Sequence, residues 1–276
     1  MSPHPPAPSP LQLLLWSNLL MAGSAAGWVI VTARTLLLPL DPILIGLAFV
    51  LAVAFYTRDR LGPKERAADW QSMPQRTAWM ERHEKTLQRI VQFGFALGVA
   101  LLVLRPAALP PIVAGVGFAL SYTVRWLPWR GQRVGWKHLP VMKMPFVAIL
   151  WTLLTVFAPA AASGVASQRE TWLLAAAVCA LIMVQILVND LRDTEGDRVS
   201  GTVSLPVLIG PTRAKGVGYA LAGVAALIGL TVASLALMGT ALYSAFLLWG
   251  YRREADARWR PWIEIQGIVA GLLALV

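Results

Sequence analysis

Long apolar runs with almost no charge constrain this chain more than any other feature. Each is close to the about 17–25 residues that a tilted helix needs to cross a bilayer. Only 14% of the residues are charged, whereas soluble domains carry about 25%. We therefore predict an all-α, polytopic membrane bundle of about nine transmembrane helices over residues 11–276, preceded by a disordered tail at 1–10. The nine runs are 11–33, 36–57, 87–104, 107–124, 140–159, 171–191, 213–233, 236–251 and 261–276.

The basic residues define the orientation of these predicted spans. With a turn near Ser234 separating spans 7 and 8, 21 of the 24 Lys and Arg residues fall on the loops after even-numbered spans and their flanks. The exceptions are Arg34, Arg105 and Arg169. The positive-inside rule therefore predicts that the even loops and the N-terminus are cytoplasmic. We expect the protein to lie in the inner membrane of a cell. The net charge of +10 is thus explained by topology and anionic lipid, and we predict no nucleic-acid partner.

One group of carboxylates lies at the end of span 6. Asp190, Asp193 and Asp197 are spaced i, i+3, i+7 after Asn189, which places them on one face if the helix continues. Three like charges on one face repel each other unless a cation lies between them. Magnesium prefers such oxygen ligands together with substrate phosphates. Two arginines of the same segment, Arg192 and Arg198, are candidates to bind phosphate oxygens.

A second, weaker acidic group follows span 2. Asp59 lies in Tyr56-Thr-Arg-Asp-Arg-Leu61, and Glu65 and Asp69 follow with i, i+4 spacing, before Ser72, Pro74 and Arg76. Alone, this pattern is equally typical of an exposed amphipathic segment. Because the loops after spans 2 and 6 are both even-numbered, we expect the two groups to face the same side and to converge.

The two acidic groups resemble those of the UbiA family of intramembrane prenyltransferases. The group at 189–197 matches the family's second Asp-rich motif and continues with Gly201, Ser204-Leu-Pro-Val207 and Gly210. The first motif is divergent: Leu61 and Gly62 stand where the family has Asn-Asp, and Ser72 replaces an Asn. Asp59 is a candidate for the missing carboxylate. Tyr122, Arg125 and Lys143 also fall where the family carries Tyr and basic residues.

The resemblance implies a helical bundle around a central cavity and Mg²⁺-dependent transfer of a prenyl group from a prenyl diphosphate to a lipophilic, often aromatic, acceptor. The implied metal ligands are Asp190, Asp193, Asp197, Glu65, Asp69 and Asp59. The implied substrate-binding residues are Asn189, Arg76, Tyr56, Tyr122, Arg125, Lys143, Arg192 and Arg198. Among the carboxylates, Asp190, Asp193, Asp197, Asp69 and Asp59 are expected to act in catalysis.

Two alternatives stay open at this point. One is a degenerate, non-catalytic isoprenoid-binding relative, because Gly62 and Ser72 depart from the family pattern. The other is a transporter, which would place ionisable groups near the middle of the membrane in broken helices. Nearly every charged residue, including Glu264, lies near the end of a predicted span or outside the spans, so the pattern favours an enzyme. The acceptor, the prenyl length and the oligomeric state are not determined by the sequence.

Overall fold

The computed structural model describes residues 8–62, 70, 73–124, 127–129, 131–136, 139–200 and 202–276. This part of the chain is almost entirely helical, which confirms the predicted fold class. The first half contains α1 (Pro10–Trp16), α2 (Leu19–Thr35), α3 (Pro42–Arg60), α4 (Pro74–Arg82), α5 (Glu84–Val103) and α6 (Leu109–Thr123). The second half contains α7 (Lys143–Thr152), α8 (Ala158–Ala162), α9 (Arg169–Ser200), α10 (Leu205–Ile209), α11 (Pro211–Thr231), α12 (Leu235–Gly250), α13 (Asp256–Glu264) and α14 (Gln266–Leu275).

Each of the predicted apolar runs coincides with a helix or a broken helix, although not all are full-length spans. Among the described residues, five helices are long and apolar enough to cross a membrane, and a sixth if the bent pair α1–α2 is one span. Pro106–Tyr122 and Leu235–Gly250 are shorter apolar helices. The last run is broken between α13 and α14. The count of nine predicted spans is therefore approximate.

Several connections have recognisable local causes. The turn predicted near Ser234 is present: α11 ends at Thr231, and the Ser234 hydroxyl caps α12 by accepting from the backbone N–H of Leu237. Within the fifth run a π-helical segment, Leu153–Phe157, joins α7 to α8. Ser9 caps α1, so helix begins at the end of the predicted tail; residues 1–7 lie outside the described part.

A short antiparallel hairpin between α6 and α7 was not predicted. Strand β1 (Leu127–Trp129) pairs with β2 (Gln132–Val134), and Gly131 turns the chain at a positive φ of 79°. It lies within the basic, tryptophan-containing segment between spans 4 and 5. Its sequence lacks the alternating pattern from which a strand is normally predicted.

Side-chain contacts agree with the predicted pairing of loops. Asp41, between α2 and α3 at the start of the second run, forms an ion pair of 2.5 Å with Arg105, which follows span 3. Near the same end, the hydroxyl of Thr35 lies 3.1 Å from that of Ser234, between spans 7 and 8. The odd-numbered connections therefore meet at one end of the bundle. The Asp-rich segment of α9 lies at the other end of that helix from Arg169.

Candidate active site

The long helix α9 carries the strongest site motif. It continues nine residues beyond its apolar run, from Arg192 to Ser200, so Asp190, Asp193 and Asp197 do share one helical face. The apolar part of α9 is at the centre of the bundle, where Leu181, Leu187 and other side chains are fully buried. The end that carries the carboxylates is consequently held in place by the core of the protein.

Lys143, the first residue of α7, contacts this carboxylate face at Asp190. Its Nζ is 2.8 Å from Oδ1 of Asp190, whose side chain is only 2% exposed. Asp197 and Asp193 also lie close enough to act electrostatically on the Lys143 ammonium. The ammonium offsets the mutual repulsion of the carboxylates and keeps the buried Asp190 paired. The structure thus brings together four of the predicted site residues.

Arg192 and Asn189 are engaged within the same helix. The Arg192 guanidinium donates two hydrogen bonds of 2.7 Å, from Nε and Nη2, to the Asp193 carboxylate. Its Nη1 donates a longer bond of 3.4 Å to Oδ1 of Asn189. A two-point contact of this kind fixes the direction of a carboxylate. Arg192 therefore orients Asp193, in addition to its predicted role in phosphate binding.

Arg198 is placed differently from the other residues of the motif. Its Nη1 lies 3.0 Å from Oε1 of Glu195, and both side chains are about half exposed. Arg253 contacts the same glutamate at 3.7 Å. The structure does not bring Arg198 into contact with the three aspartates, and its predicted contact with phosphate would require another rotamer.

The aromatic residues predicted at the site lie on two different elements. Oη of Tyr56, on α3, accepts a hydrogen bond of 2.9 Å from Nε1 of Trp151, and the two rings are 5.9 Å apart. Tyr122, on α6, packs against Phe146 of α7 with ring centroids at 4.3 Å. Asp59 is exposed one turn after Tyr56, whereas Arg76 is buried in α4.

Several predicted residues lie outside the described part of the chain, namely Glu65, Asp69, Ser72 and Arg125. The convergence of the first acidic group on the second stays a prediction for that reason. Asp59 and Arg76, on either side of that segment, are described. Asp59 acts electrostatically on Tyr56, which places the end of α3 beside the aromatic pair Tyr56–Trp151.

The donor set on α9 fits magnesium. In the described ranges, no three His, Cys, Asp or Glu side chains are arranged as a complete metal site. Magnesium does not require one, because it typically uses one or two carboxylates and completes its shell with water and phosphate oxygens. Asp193 is 28% exposed and Asp197 is partly exposed. These two carboxylates are more exposed than Asp190, which is paired with Lys143, and Asp193 would exchange part of its contact with Arg192 for the metal.

A neighbouring charged group was missed by the sequence analysis. Glu264, at the end of α13, is buried, and Arg60, Arg260, Arg192 and Asp256 act on it electrostatically. Its position within an apolar run was a signal, because an ionisable residue inside a membrane span is costly unless it has a role. The arginines gave no such signal, because basic residues at span ends are common.

Comparisons with known proteins agree with this geometry. The model of the UbiA prenyltransferase family matches residues 73–264, more than half of the chain. No curated protein sequence gives a significant match. The solved structure of a digeranylgeranylglyceryl phosphate synthase from membranes is similar, with a TM-score of 0.54 over 95% of this chain and 97% of that chain. At 14% identity this likeness shows the fold alone.

Proposed function

Because the chain belongs to the UbiA prenyltransferase family, we propose that it transfers a prenyl group within the membrane from a prenyl diphosphate to a lipophilic acceptor. The observation that carries this proposal is the face of α9. There, the Lys143 ammonium pairs with Asp190 and is acted on electrostatically by Asp193 and Asp197, at the end of a helix whose apolar part is buried in the core. Such a face suits cations and phosphates, and in this proposal the apolar side chains of the bundle would contact the isoprenoid tail.

The proposed reaction begins with cleavage of the allylic C–O bond, whose electron pair leaves with the diphosphate. Asp193 and Asp197, with Glu65 and Asp69 from the first motif, would hold Mg²⁺, which neutralises charge on the leaving group when bound. Lys143 and Arg192 lie where they can donate to phosphate oxygens. The acceptor then supplies an electron pair to the allylic carbon and loses a proton.

Aromatic and apolar groups would protect the allylic cation in this proposal. The hydrogen bond from Trp151 fixes the Tyr56 ring, and an aromatic face attracts a cation held within about 6 Å. The stacked Phe118 and Phe146 rings, 3.9 Å apart, extend the aromatic surface beside Tyr122. A dry surface of this kind would keep water from capturing the cation.

We propose that the Asp-rich end faces the cytoplasm. The basic residues of the even-numbered loops support this orientation, because cytoplasmic loops carry the excess of Lys and Arg. Prenyl diphosphates are charged and water-soluble at the headgroup, so a site on this side would be reached from the cytoplasm. The residues on the opposite end include few basic side chains, notably Arg34, Arg105 and Arg169.

The proposed function predicts metal-dependent substrate binding. Detergent-purified protein should bind farnesyl diphosphate in the presence of Mg²⁺ and lose most of that affinity when the metal is chelated. Asp193→Asn should reduce turnover by roughly a hundredfold or more, the usual effect of removing a group that stabilises charge in a transition state. Isothermal calorimetry and single-turnover kinetics with farnesyl diphosphate measure the two effects.

The matched control is Glu170→Gln, an exposed carboxylate in the first turn of the same helix at its other end. We expect this variant to bind and react like the parent protein. Binding of farnesyl diphosphate that is indifferent to the chelator would remove the carboxylates from the mechanism and favour a non-catalytic isoprenoid-binding protein.

A further inference from the structure

The membrane span Lys143–Ala162 contains a π-helical turn at Leu153–Phe157. Pro159 follows it in the first turn of α8. In a regular α-helix the N–H of residue 159 would donate to the carbonyl of Thr155, but proline has no N–H. That carbonyl needs another donor, because the interior of a bilayer has no water to replace the missing hydrogen bond.

Thr32 of α2 supplies the missing donor. Its hydroxyl donates to Thr155 O at 2.8 Å, and both threonines are completely buried. The hydroxyl of Thr155 in turn donates to Trp151 O at 2.8 Å. Two buried hydroxyl groups therefore fix the π-helical turn, one from the neighbouring helix and one from within the turn.

Trp151, at the end of α7, connects the π-helical turn to the candidate site. It is buried, and its indole Nε1 donates to Oη of Tyr56 on α3 at 2.9 Å. A π-helical turn is wider than an α-helical one, so it changes the direction of the side chains before it relative to those after it. Hydrogen bonds therefore run without interruption from Thr32 on α2, through Thr155 and Trp151, to Tyr56 on α3.

We propose that Thr32 and Thr155 are positioning residues that orient the Tyr56 ring through Trp151. The inference rests on the proposed function, in which that ring faces the allylic cation. An aromatic ring attracts a cation through its face and not through its edge, so the attraction depends on the rotation of the ring. The hydrogen bonds that begin at Thr32 would fix this rotation before the substrate binds, as preorganised charge stabilisation requires. π-helical turns are frequent at functional sites, and this role gives a reason for the one in this span.

The test uses a stable mimic of the allylic cation, farnesyldimethylamine, which is protonated at neutral pH. Protein in an uncharged detergent receives Mg²⁺ and inorganic pyrophosphate, and calorimetry measures its affinity for the amine. The reference ligand is farnesyl thiolodiphosphate with Mg²⁺, an unreactive analogue with no positive charge at the allylic carbon. Tyr56→Leu should lower the affinity for the amine roughly two- to thirtyfold, the range for a cation over an aromatic face. It should leave the affinity for the reference ligand nearly unchanged.

Thr32→Val and Thr155→Val remove the two hydroxyl groups and keep the branched shape of the side chain. Each should lower the affinity for the amine about twofold or more, a share of the Tyr56 effect, and neither should weaken the reference ligand. In a Tyr56→Leu background neither substitution should have a further effect, because residues that act through one contact are not additive. Thr32→Ser keeps the hydroxyl and should bind the amine like the parent protein.

The matched control is Thr152→Val. Thr152 is a buried threonine of the same span, and its hydroxyl donates to Ala148 O at 2.8 Å within its own helix. This variant should change neither affinity. A merely structural role for Thr32 would lower the affinity for both ligands, and would do so equally with and without the Tyr56 ring.

Three results would overturn the inference. The first is Thr32→Val and Thr155→Val protein that binds the amine like the parent, and the second is an equal loss in the Tyr56→Leu background. The third is Tyr56→Leu protein with unchanged affinity for the amine, which would remove Tyr56 from contact with the cation. In each case Mg²⁺-dependent binding of the reference ligand would leave the proposed function standing. Failure of the reference ligand to bind with Mg²⁺ would instead contradict the proposed function.

Discussion

At the scale of single residues, the buried ion pair between Lys143 and Asp190 joins α7 to α9. Their atoms are 2.8 Å apart, and the Asp190 side chain is 2% exposed. Removal of one partner from a pair of this kind is costly, since the other partner is left as an uncompensated charge. Asp193, with its own guanidinium partner, is less dependent on Lys143. Asp190 and Asp193 therefore have different structural roles, although both belong to the same Asp-rich motif.

We expect Lys143→Met to destabilise the protein by less than about 3–5 kcal/mol, the range for breaking a fully buried ion pair, because the Lys143 side chain is 38% exposed and only Asp190 is buried. The double variant Lys143→Met/Asp190→Asn should recover much of that loss, because no unpaired charge remains. Thermal unfolding in detergent measures both. A single variant that unfolds at the same temperature as the parent would show that water already solvates Asp190.

Asp59 is the residue on which the first motif depends. It is exposed at the end of α3 and acts on Tyr56. If it supplies the carboxylate that is missing at Gly62, Asp59→Asn should lower turnover nearly as much as Asp69→Asn. If Asp59 instead forms an exposed ion pair with a neighbouring arginine, that pair would contribute only about 0–1 kcal/mol. Steady-state kinetics of the two variants separate these outcomes, and near-normal turnover of Asp59→Asn would leave Glu65 and Asp69 as the whole motif.

At the scale of elements, the first and last spans make an unusually close contact. A Cβ added to Gly27 of α2 would lie 1.9 Å from the backbone oxygen of Gly267, and one added to Gly267 would lie 2.2 Å from that of Ser24. Small residues allow helix backbones to approach in this way within a bilayer. The same contact holds the break after Glu264, because the N–H of Gly267 donates to Ser24 Oγ.

Gly267→Ala should therefore force α2 and α14 apart and cost about 1–3 kcal/mol, as overpacking usually does. The control is Gly223→Ala on α11, where an added Cβ meets nothing within 4 Å. It should be neutral or slightly stabilising, because alanine favours helix over glycine by up to about 1 kcal/mol. Unfolding temperatures of both variants decide the point, and equal values would argue against a rigid contact.

At the scale of the whole molecule, the proposed orientation can be tested by labelling cysteines in cells. In a Cys179→Ala background, Ser167→Cys lies on the odd-numbered side and Thr212→Cys on the even-numbered side, and both positions are exposed. An impermeant maleimide should label Ser167→Cys in intact cells. It should label Thr212→Cys only after the membrane is permeabilised. The reverse pattern would place the Asp-rich end outside.

The sequence alone determined what depends on local composition. Apolar runs indicated the helices because a bilayer offers no water to unpaired backbone groups. The spacing of Asp190, Asp193 and Asp197 predicted a shared face because helix geometry is periodic. The distribution of lysine and arginine predicted which connections lie together, and the ion pair between Asp41 and Arg105 agrees with it.

Only the tertiary structure decided which charged groups meet. Lys143 and Asp190 are far apart in sequence, yet their side chains form an ion pair of 2.8 Å, because the start of α7 lies beside the Asp-rich end of α9. The break at Ile265 lies between Pro261 and Gly267, but these residues do not by themselves fix where the helix stops. It is stabilised by the side chains of Ser24 and Gln185, which come from other helices. Contacts of this kind depend on how the helices pack, and no pattern within one segment specifies that packing.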